Sequence, residues 1–414
     1  MSDICERQLD VLLAFDGPHV MGHLGDCRIR AGLEAVDPGV AVDVILFPAG
    51  KMGPFVTMLE EARKWPAQVW AGPRSGSGRI VFDASGEATP LTKALVKLMH
   101  GFLAEVGIPF DRAVYLTAEP PFPEQYRAFC AERGIARAMK VLHYDLWIRR
   151  FLLEYDQAGQ EVFERRLAIY RARPRRRDRQ FLSLNLTPRP CKLVFLLNLL
   201  KDGLWDRGFI SFGGFERRLR REPMDKVEAR LLACGGLEEL AAEVAPHLPE
   251  LRAMGKTVFG MEGRHVRPGK FLKNLEDAAL AEYDRSWFSV VTETEMRPWP
   301  SRITEKPLKP LANFHPFLVL GNPGALALLK KLGFESFAKV FDESYDDELD
   351  PLKRYRLVYA EFLRLCSLDE AELDRLEATV SEVVVFNARR ALVELPRLYR
   401  DKIDPGLLVE ILGL

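Results

Sequence analysis

The sequence predicts an α/β protein of two successive Rossmann-like domains facing a cleft, followed by a helical C-terminal tail. Three observations carry that expectation. Short apolar runs bounded by Gly, Pro and Asp alternate with amphipathic stretches of helical period in both halves of the chain. A basic, proline-containing segment, Arg-Pro-Arg-Arg-Arg-Asp-Arg at 173–179, separates the two alternating regions. The chain has 414 residues, 48% hydrophobic and 29% charged, which is enough for two packed cores.

In the first half, residues 10–15 (DVLLAF), 40–47 (VAVDVILF), 80–83 and 113–117 read as short buried strands. Helical stretches lie between them at 56–64, 92–106 and 123–133, the second ending at Gly107. Strands separated by helices predict a parallel sheet covered on both faces. One long charged helix is expected over 146–173. The arginine run after it reads as a solvated domain linker, with a nucleic-acid or membrane patch as the alternative. The expected domains are therefore 1–175 and 176–395, with a tail over 396–414.

After the linker the alternation resumes. Strands are expected at 181–184, 208–212, 287–292 and 316–320, and helices at 191–201, 237–247, 271–283, 306–312 and 324–332. The remainder reads as largely helical and punctuated by proline. No short-period repeat and no low-complexity tract is present.

Composition narrows the function classes. Lysine plus arginine equals aspartate plus glutamate at 59 each. Zero net charge gives no general drive toward nucleic acid or an anionic membrane, so nucleic acid is not expected as a partner. The six cysteines are scattered without a CxxC pair. They read as reduced thiols of a cytoplasmic protein, without a disulfide framework or zinc cluster. The polar N-terminus MSDICERQLD does not read as a secretory signal, and the longest apolar runs are too short to span a bilayer. Peripheral contact at a membrane face stays open.

In open parallel sheets, ligands gather at strand carboxyl ends, where helix N-termini aim backbone N–H groups at anions. Three strand ends of the second half carry suitable residues. The first is Phe181-Leu-Ser-Leu-Asn-Leu-Thr-Pro-Arg-Pro-Cys-Lys192, where Asn185 can hydrogen-bond and Arg189 and Lys192 stand at a helix entrance. The second is Phe288-Ser-Val-Val-Thr-Glu-Thr-Glu295, followed by Thr304-Glu305-Lys306 opening a helix. Here Glu293 or Glu295 can accept from hydroxyls, Thr304 can cap, and Lys306 can pair with a diphosphate. The third, His315-Pro-Phe-Leu-Val-Leu-Gly-Asn-Pro-Gly324, runs from a buried strand into a glycine turn. Capped helices with exposed cations and ordinary turns would read the same way. Neither GxGxxG after the first strand nor GxxxxGK[ST] occurs, which leaves dehydrogenase and P-loop readings without support.

Taken in order, the stretches 183–192, 211–214 (Ser-Phe-Gly-Gly), 288–295 and 303–306 (Ile-Thr-Glu-Lys) resemble the donor domain of the α1,3-fucosyltransferase family. The resemblance runs from about residue 180 to residue 330, and Thr-Glu-Lys is its most specific part. It implies a glycosyltransferase of the GT-B fold using a nucleotide-sugar donor, with a GDP-sugar the first to expect and a glycan, lipid-linked or other hydroxyl as acceptor. It also implies a donor diphosphate on Arg189 or Lys192 and on Lys306, with Glu305 near the sugar. The chain departs from the family at Glu293-Thr-Glu295, which stands for Glu-Asn-Ser/Thr, and at Arg302, which stands for tyrosine. Residues 314–346 also resemble uncharacterised phage and bacterial glycosyltransferase-like proteins.

Sugar transfer with inversion needs a base for the acceptor proton, expected here from the first domain. Two strand-end loops qualify, Asp16-Gly-Pro-His19-Val-Met-Gly-His23 and Asp83-Ala-Ser-Gly-Glu87. Glu87 and Asp83 are the first candidates and Asp16 the next, each equally able to cap a following helix. His19 and His23 are four apart but lack a third ligand, and no DxD motif lies at a strand end. No metal site and no covalently bound cofactor are expected. The acids at 342–347 read as solvent-facing. Two other readings stand beside this one: a non-catalytic nucleotide- or glycan-binding module of the same shape, and sugar transfer to nucleic acid.

Overall fold

A computed structural model of the chain describes residues 9–13, 27–31, 44–86, 89–153, 155–217, 220–259, 280–298 and 302–413. The chain divides into two units, Met1–Arg149 with Arg397–Leu414, and Arg150–Pro396.

The first unit is built on six parallel strands: β1 (Leu9–Leu13), β2 (Cys27–Ala31), β3 (Val44–Pro48), β4 (Arg79–Ala84), β5 (Ala113–Thr117) and β6 (Lys140–His143). Their order is β2-β1-β3-β4-β5-β6, so the winding reverses between β1 and β3. The β3–β5 runs are almost wholly buried, as a sheet covered on both faces requires. Helices Met52–Ala62 and Lys93–Glu105 pack on it around Phe47, Phe55, Phe82 and Phe102, with Trp65 stacked on Trp70 at 5.5 Å. Strands β2 and β6 are not among the sequence expectations. Both are edge strands, and neither CRIRA nor KVLH contains an apolar run long enough to read as a strand.

The C-terminal segment belongs to this unit. In helix Asp404–Leu412, Asp404 accepts from Arg149 Nε at 2.6 Å and from the Tyr144 hydroxyl at 2.8 Å, all three buried. Two donors on one carboxylate satisfy a charge that burial alone would make costly.

The second unit holds β7 (Arg179–Asn185), β8 (Gly208–Phe212), a small hairpin of β9 (Glu216–Arg217) and β10 (Arg220–Arg221), then β11 (Ser286–Thr292) and β12 (Phe317–Leu320). The four main strands are parallel in the order β12-β11-β7-β8. The chain winds outward from β7 to β8 and, in the other direction, from β11 to β12. The reversal therefore lies between β7 and β11. Helix Pro351–Ser367 covers one face, with Phe362 edge-on to Phe181 at 4.9 Å and to Phe195 at 5.5 Å. Helix Glu370–Arg389 follows, opened by a capping box of Asp369 and Glu372.

Two expectations change here. The long helix expected over 146–173 is two helices, Leu146–Leu153 and Gly159–Arg171. The second starts at a glycine because a Cβ there would lie 1.9 Å from the Leu392 carbonyl oxygen. The arginine run is not a solvated linker throughout. Arg173 and Arg177 are each 3% exposed. Arg173 donates to Asp284 at 2.8 Å and to the Asn313 carbonyl at 2.9 Å. Arg177 donates to both Glu377 oxygens at 2.9 and 2.8 Å, its guanidinium over the Trp287 ring. Their partners lie over a hundred residues away, which no local pattern discloses.

Candidate functional site

The carboxyl ends of β7 and β11, on either side of the strand-order reversal, are joined by polar side chains. Thr292 donates its hydroxyl to Asn185 Oδ1 at 2.6 Å. The Asn185 amide donates to Ser183 Oγ at 2.9 Å, and Ser183 donates onward to the Val290 carbonyl at 3.1 Å. The Asn185 backbone N–H donates to Ser211 Oγ on β8 at 2.8 Å. All four side chains are buried, so the network ties three strand ends together where water is excluded.

Beyond β7 the chain turns through Arg189, the N-cap, into helix Pro190–Lys201. Proline at the first helical position suits this entrance, since its missing N–H would be unpaired there anyway. The Cys191 thiol donates to the Glu293 and Thr294 carbonyls at 3.3 and 3.1 Å, fastening the helix start to the exit of β11. Burial pushes that thiol up to about 11, so it stays protonated.

Beyond β11 the ladder continues one residue, with Glu293 N–H donating to the Leu320 carbonyl at 2.8 Å. The Glu293 carboxylate is 3% exposed and collects three donors. Thr304 donates through its N–H at 3.3 Å and its hydroxyl at 2.7 Å to Oε1. Lys306 Nζ donates to Oε2 at 2.8 Å and to the Thr304 hydroxyl at 3.0 Å. Burial works against the Lys306 charge, but Glu293 and Glu305 outweigh it and hold the ammonium above its ordinary value. Glu305 is likewise held below the usual carboxylate range: burial opposes its charge, and Lys306 and Lys309 overcome that.

Lys192 differs from Lys306. It lies in the first turn of its helix and is 4% exposed. Its ammonium has no hydrogen bond or ion pair with a described residue, while Glu293 is engaged by Lys306 and Thr304. Burial, and then the like charge of Lys306, bring Lys192 down to about 8.

The sequence candidates thus fall into groups. Lys192, Glu293, Thr304, Glu305 and Lys306 come together at the switch point. Asn185 lies beneath them, its side-chain amide engaged within the sheet. Arg189 is exposed at the helix mouth, and Glu295 pairs with Arg297 at 3.0 Å. In the first unit Asp83 is buried at the end of β4 and accepts from the Ser85 N–H at 2.9 Å and hydroxyl at 2.5 Å. Asp16, His19, His23 and Glu87 lie outside the described residues. Ser183, Ser211, Thr292, Cys191 and Gly321 also build this place; a small polar residue in a strand carries no signal that separates it from filler.

The acids at 342–347 are not all solvent-facing. Asp346 is buried and accepts from the Leu326 and Ala327 N–H groups at 2.9 and 3.0 Å, capping helix Ala325–Lys331. Among the described residues, no group of three or more His, Cys, Asp or Glu is arranged to hold a metal ion. No helix among them is long and apolar enough to cross a membrane.

Fold and site define a two-unit α/β protein with parallel sheets and a lysine-bearing switch point in the second unit. No family model matches the chain, and no curated protein matches it in sequence. It is similar to two solved structures. One is an α,α-trehalose 6-phosphate synthase from Burkholderia multivorans, at 14% identity and a TM-score of 0.40, covering 89% of this chain and 71% of that one. The other is an α,α-trehalose-phosphate synthase (UDP-forming) from Burkholderia vietnamiensis, at 12% identity and a TM-score of 0.43, covering 92% of this chain and 74% of that one.

Proposed function

We propose that this chain is a GT-B glycosyltransferase that moves a sugar from a nucleoside-diphosphate donor to a hydroxyl acceptor. In this reading Lys192, Lys306 and the mouth of helix Pro190–Lys201 hold the donor's diphosphate. The observation that carries it is Lys192: a buried ammonium beside a second ammonium, with the nearby carboxylate already engaged. An anion arriving with two or more negative charges supplies what the protein withholds. The partial positive end of a twelve-residue helix acts in the same direction. So does the position, at the carboxyl ends of parallel strands where their order reverses.

The sugar chemistry rests on Thr304-Glu305-Lys306 and its resemblance to α1,3-fucosyltransferases. Glycosyl transfer leaves charge developing on the departing diphosphate, and fixed cations in a water-poor site stabilise that charge more in the transition state than before it. Glu305, held ionised, is the group for donor hydroxyls, with Glu295 a second candidate, and Arg189 adds a third cation at the rim. Asp83, Glu87 and Asp16 are the candidates for the base. A GDP-sugar is the first donor to test.

The test is a thermal-shift panel of GDP, UDP, CMP, dTDP and their sugars, repeated on Lys192→Ala and Lys306→Ala, followed by assay of nucleotide release. Stabilisation by one nucleotide that is lost in both variants, with release from its sugar, is the expected result. Binding without release under any acceptor would favour the non-catalytic module. No shift with any nucleotide would overturn the donor site.

A further inference from the structure

We infer that Glu293 is a positioning residue: it fixes the Lys306 ammonium and balances the buried charge of Lys192, so that both lysines meet a bound diphosphate as cations. This rests on the donor-site reading above and goes beyond it, because the glutamate is assigned to the lysines instead of to the sugar.

Geometry leaves Glu293 little else to do. Both of its oxygens are engaged by Thr304 and Lys306. Its stem is held as well: a Cβ on Gly321 would stand 3.1 Å from both Cβ and Cγ of Glu293. Glycine at the exit of β12 leaves the room in which that stem packs, and a Cβ there would oblige the stem to give by a few tenths of an ångström. A side chain fixed at its stem and at both oxygens can hold an ammonium within the few tenths of an ångström that phosphate recognition needs.

Electrostatics gives the second half of the role. The groups that act on Lys192 are Cys191 on its own helix, Glu293 and Lys306 from the segment after β11, Glu305 beside them, and Lys309 from helix Leu308–Ala312. Cys191 and then Glu293 favour the charged form, whereas burial, Lys306 and Lys309 oppose it. The Cys191 thiol, pushed up by its own burial, stays protonated near neutral pH, so the standing negative charge of the two is that of Glu293. Arg302 adds to the opposition at Lys306. Without the Glu293 charge, Lys192 would lose its proton at lower pH and the pair would offer an incoming anion less charge.

The experiment is calorimetric titration of GDP, UDP and inorganic pyrophosphate into the full chain between about pH 6.5 and pH 9. Wild type should lose affinity above about pH 8 as Lys192 gives up its proton. Glu293→Gln should bind about tenfold more weakly at neutral pH, as loss of an orienting partner does elsewhere, and its alkaline loss should begin at lower pH. Gly321→Ala keeps every charge and displaces the carboxylate. It should weaken binding without moving the alkaline limb. Wild-type affinity and an unmoved pH profile in Glu293→Gln would overturn the inference and leave the donor site standing. Should that variant not fold, unaltered affinity in Gly321→Ala overturns it instead. If wild type binds none of the three probes, the donor site itself falls, and this role of Glu293 with it.

Discussion

Lys306 Nζ lies 2.8 Å from Glu293 Oε2, and this ion pair joins the segment entering helix Leu308–Ala312 to the exit of strand β11. Its neighbour Lys192 has no such pair among the described residues. The contrast between a neutralised lysine and an uncompensated one in the same buried place is the feature from which the functional reading grows.

Lys192 should cost the free protein stability. In the folded protein it is brought down to about 8 from the ordinary lysine value of 10.5, so the unfolded chain binds more protons between those two pH values. Stability must then rise with pH across that window, and the penalty is fully present below it. Lys192→Met should stabilise the ligand-free protein at neutral pH, by on the order of 3 kcal/mol. The gain should shrink toward pH 10.5, as measured by urea denaturation in a pH series. Equal gains at pH 7 and pH 10 would show that Lys192 is not penalised in the fold.

Asn185→Ala should destabilise the protein by about 2–4 kcal/mol, because it leaves the buried Thr292 hydroxyl without its acceptor and takes from Ser183 Oγ the amide that donates to it. Thr292→Val removes the other end of the same bond. The double variant should lose less than the sum of the two, by more than about 0.5 kcal/mol. Additive losses would mean that the two strand ends are held by something else.

Asp404→Ala should unfold the first unit more easily, by about 2–4 kcal/mol, since it removes a buried carboxylate that pairs with the Arg149 guanidinium and accepts from the Tyr144 hydroxyl. Trp70 lies in the core of that unit with the half-buried Trp65 packed against it, and both report its denaturation by fluorescence. A change under about 1 kcal/mol would show that the C-terminal segment is not anchored through this pair.

Neighbours in the arginine run should behave oppositely. Glu377→Ala, which unpairs Arg177, should cost about 2–4 kcal/mol. Arg176→Ala should change stability by less than about 0.5 kcal/mol, because that side chain is 87% exposed and its contact with Glu370 is 3.6 Å long. Chemical denaturation of the two variants decides it, and equal effects would return the whole run to the solvated linker.

Much of the fold is legible along the chain. The run at 113–117 coincides with β5 and that at 208–212 with β8, and those at 80–83, 181–184, 287–292 and 316–320 fall within a residue or two of observed strands. Most of their residues are buried, and continuous apolar character is what such burial demands. Strands β2 and β6 escape notice because CRIRA and KVLH carry no continuous apolar run, and β6 is only half-buried. The break before Gly159 escapes it too, since the obstacle is the Leu392 carbonyl, distant in sequence.

At the candidate site, Thr304-Glu305-Lys306 and the helix entrance at Lys192 stand out as residues, but their relation does not. By itself the sequence determined the alternation of strands and helices, the caps and turns between them, and which polar residues end the strands, because each of these depends on near neighbours. Only the tertiary structure decided that β7 and β11 lie side by side, that Glu293 belongs to Lys306, and that Lys192 is buried without a partner among the described residues. Those facts depend on strand order and on dehydration of charge, which arise when segments over a hundred residues apart pack together.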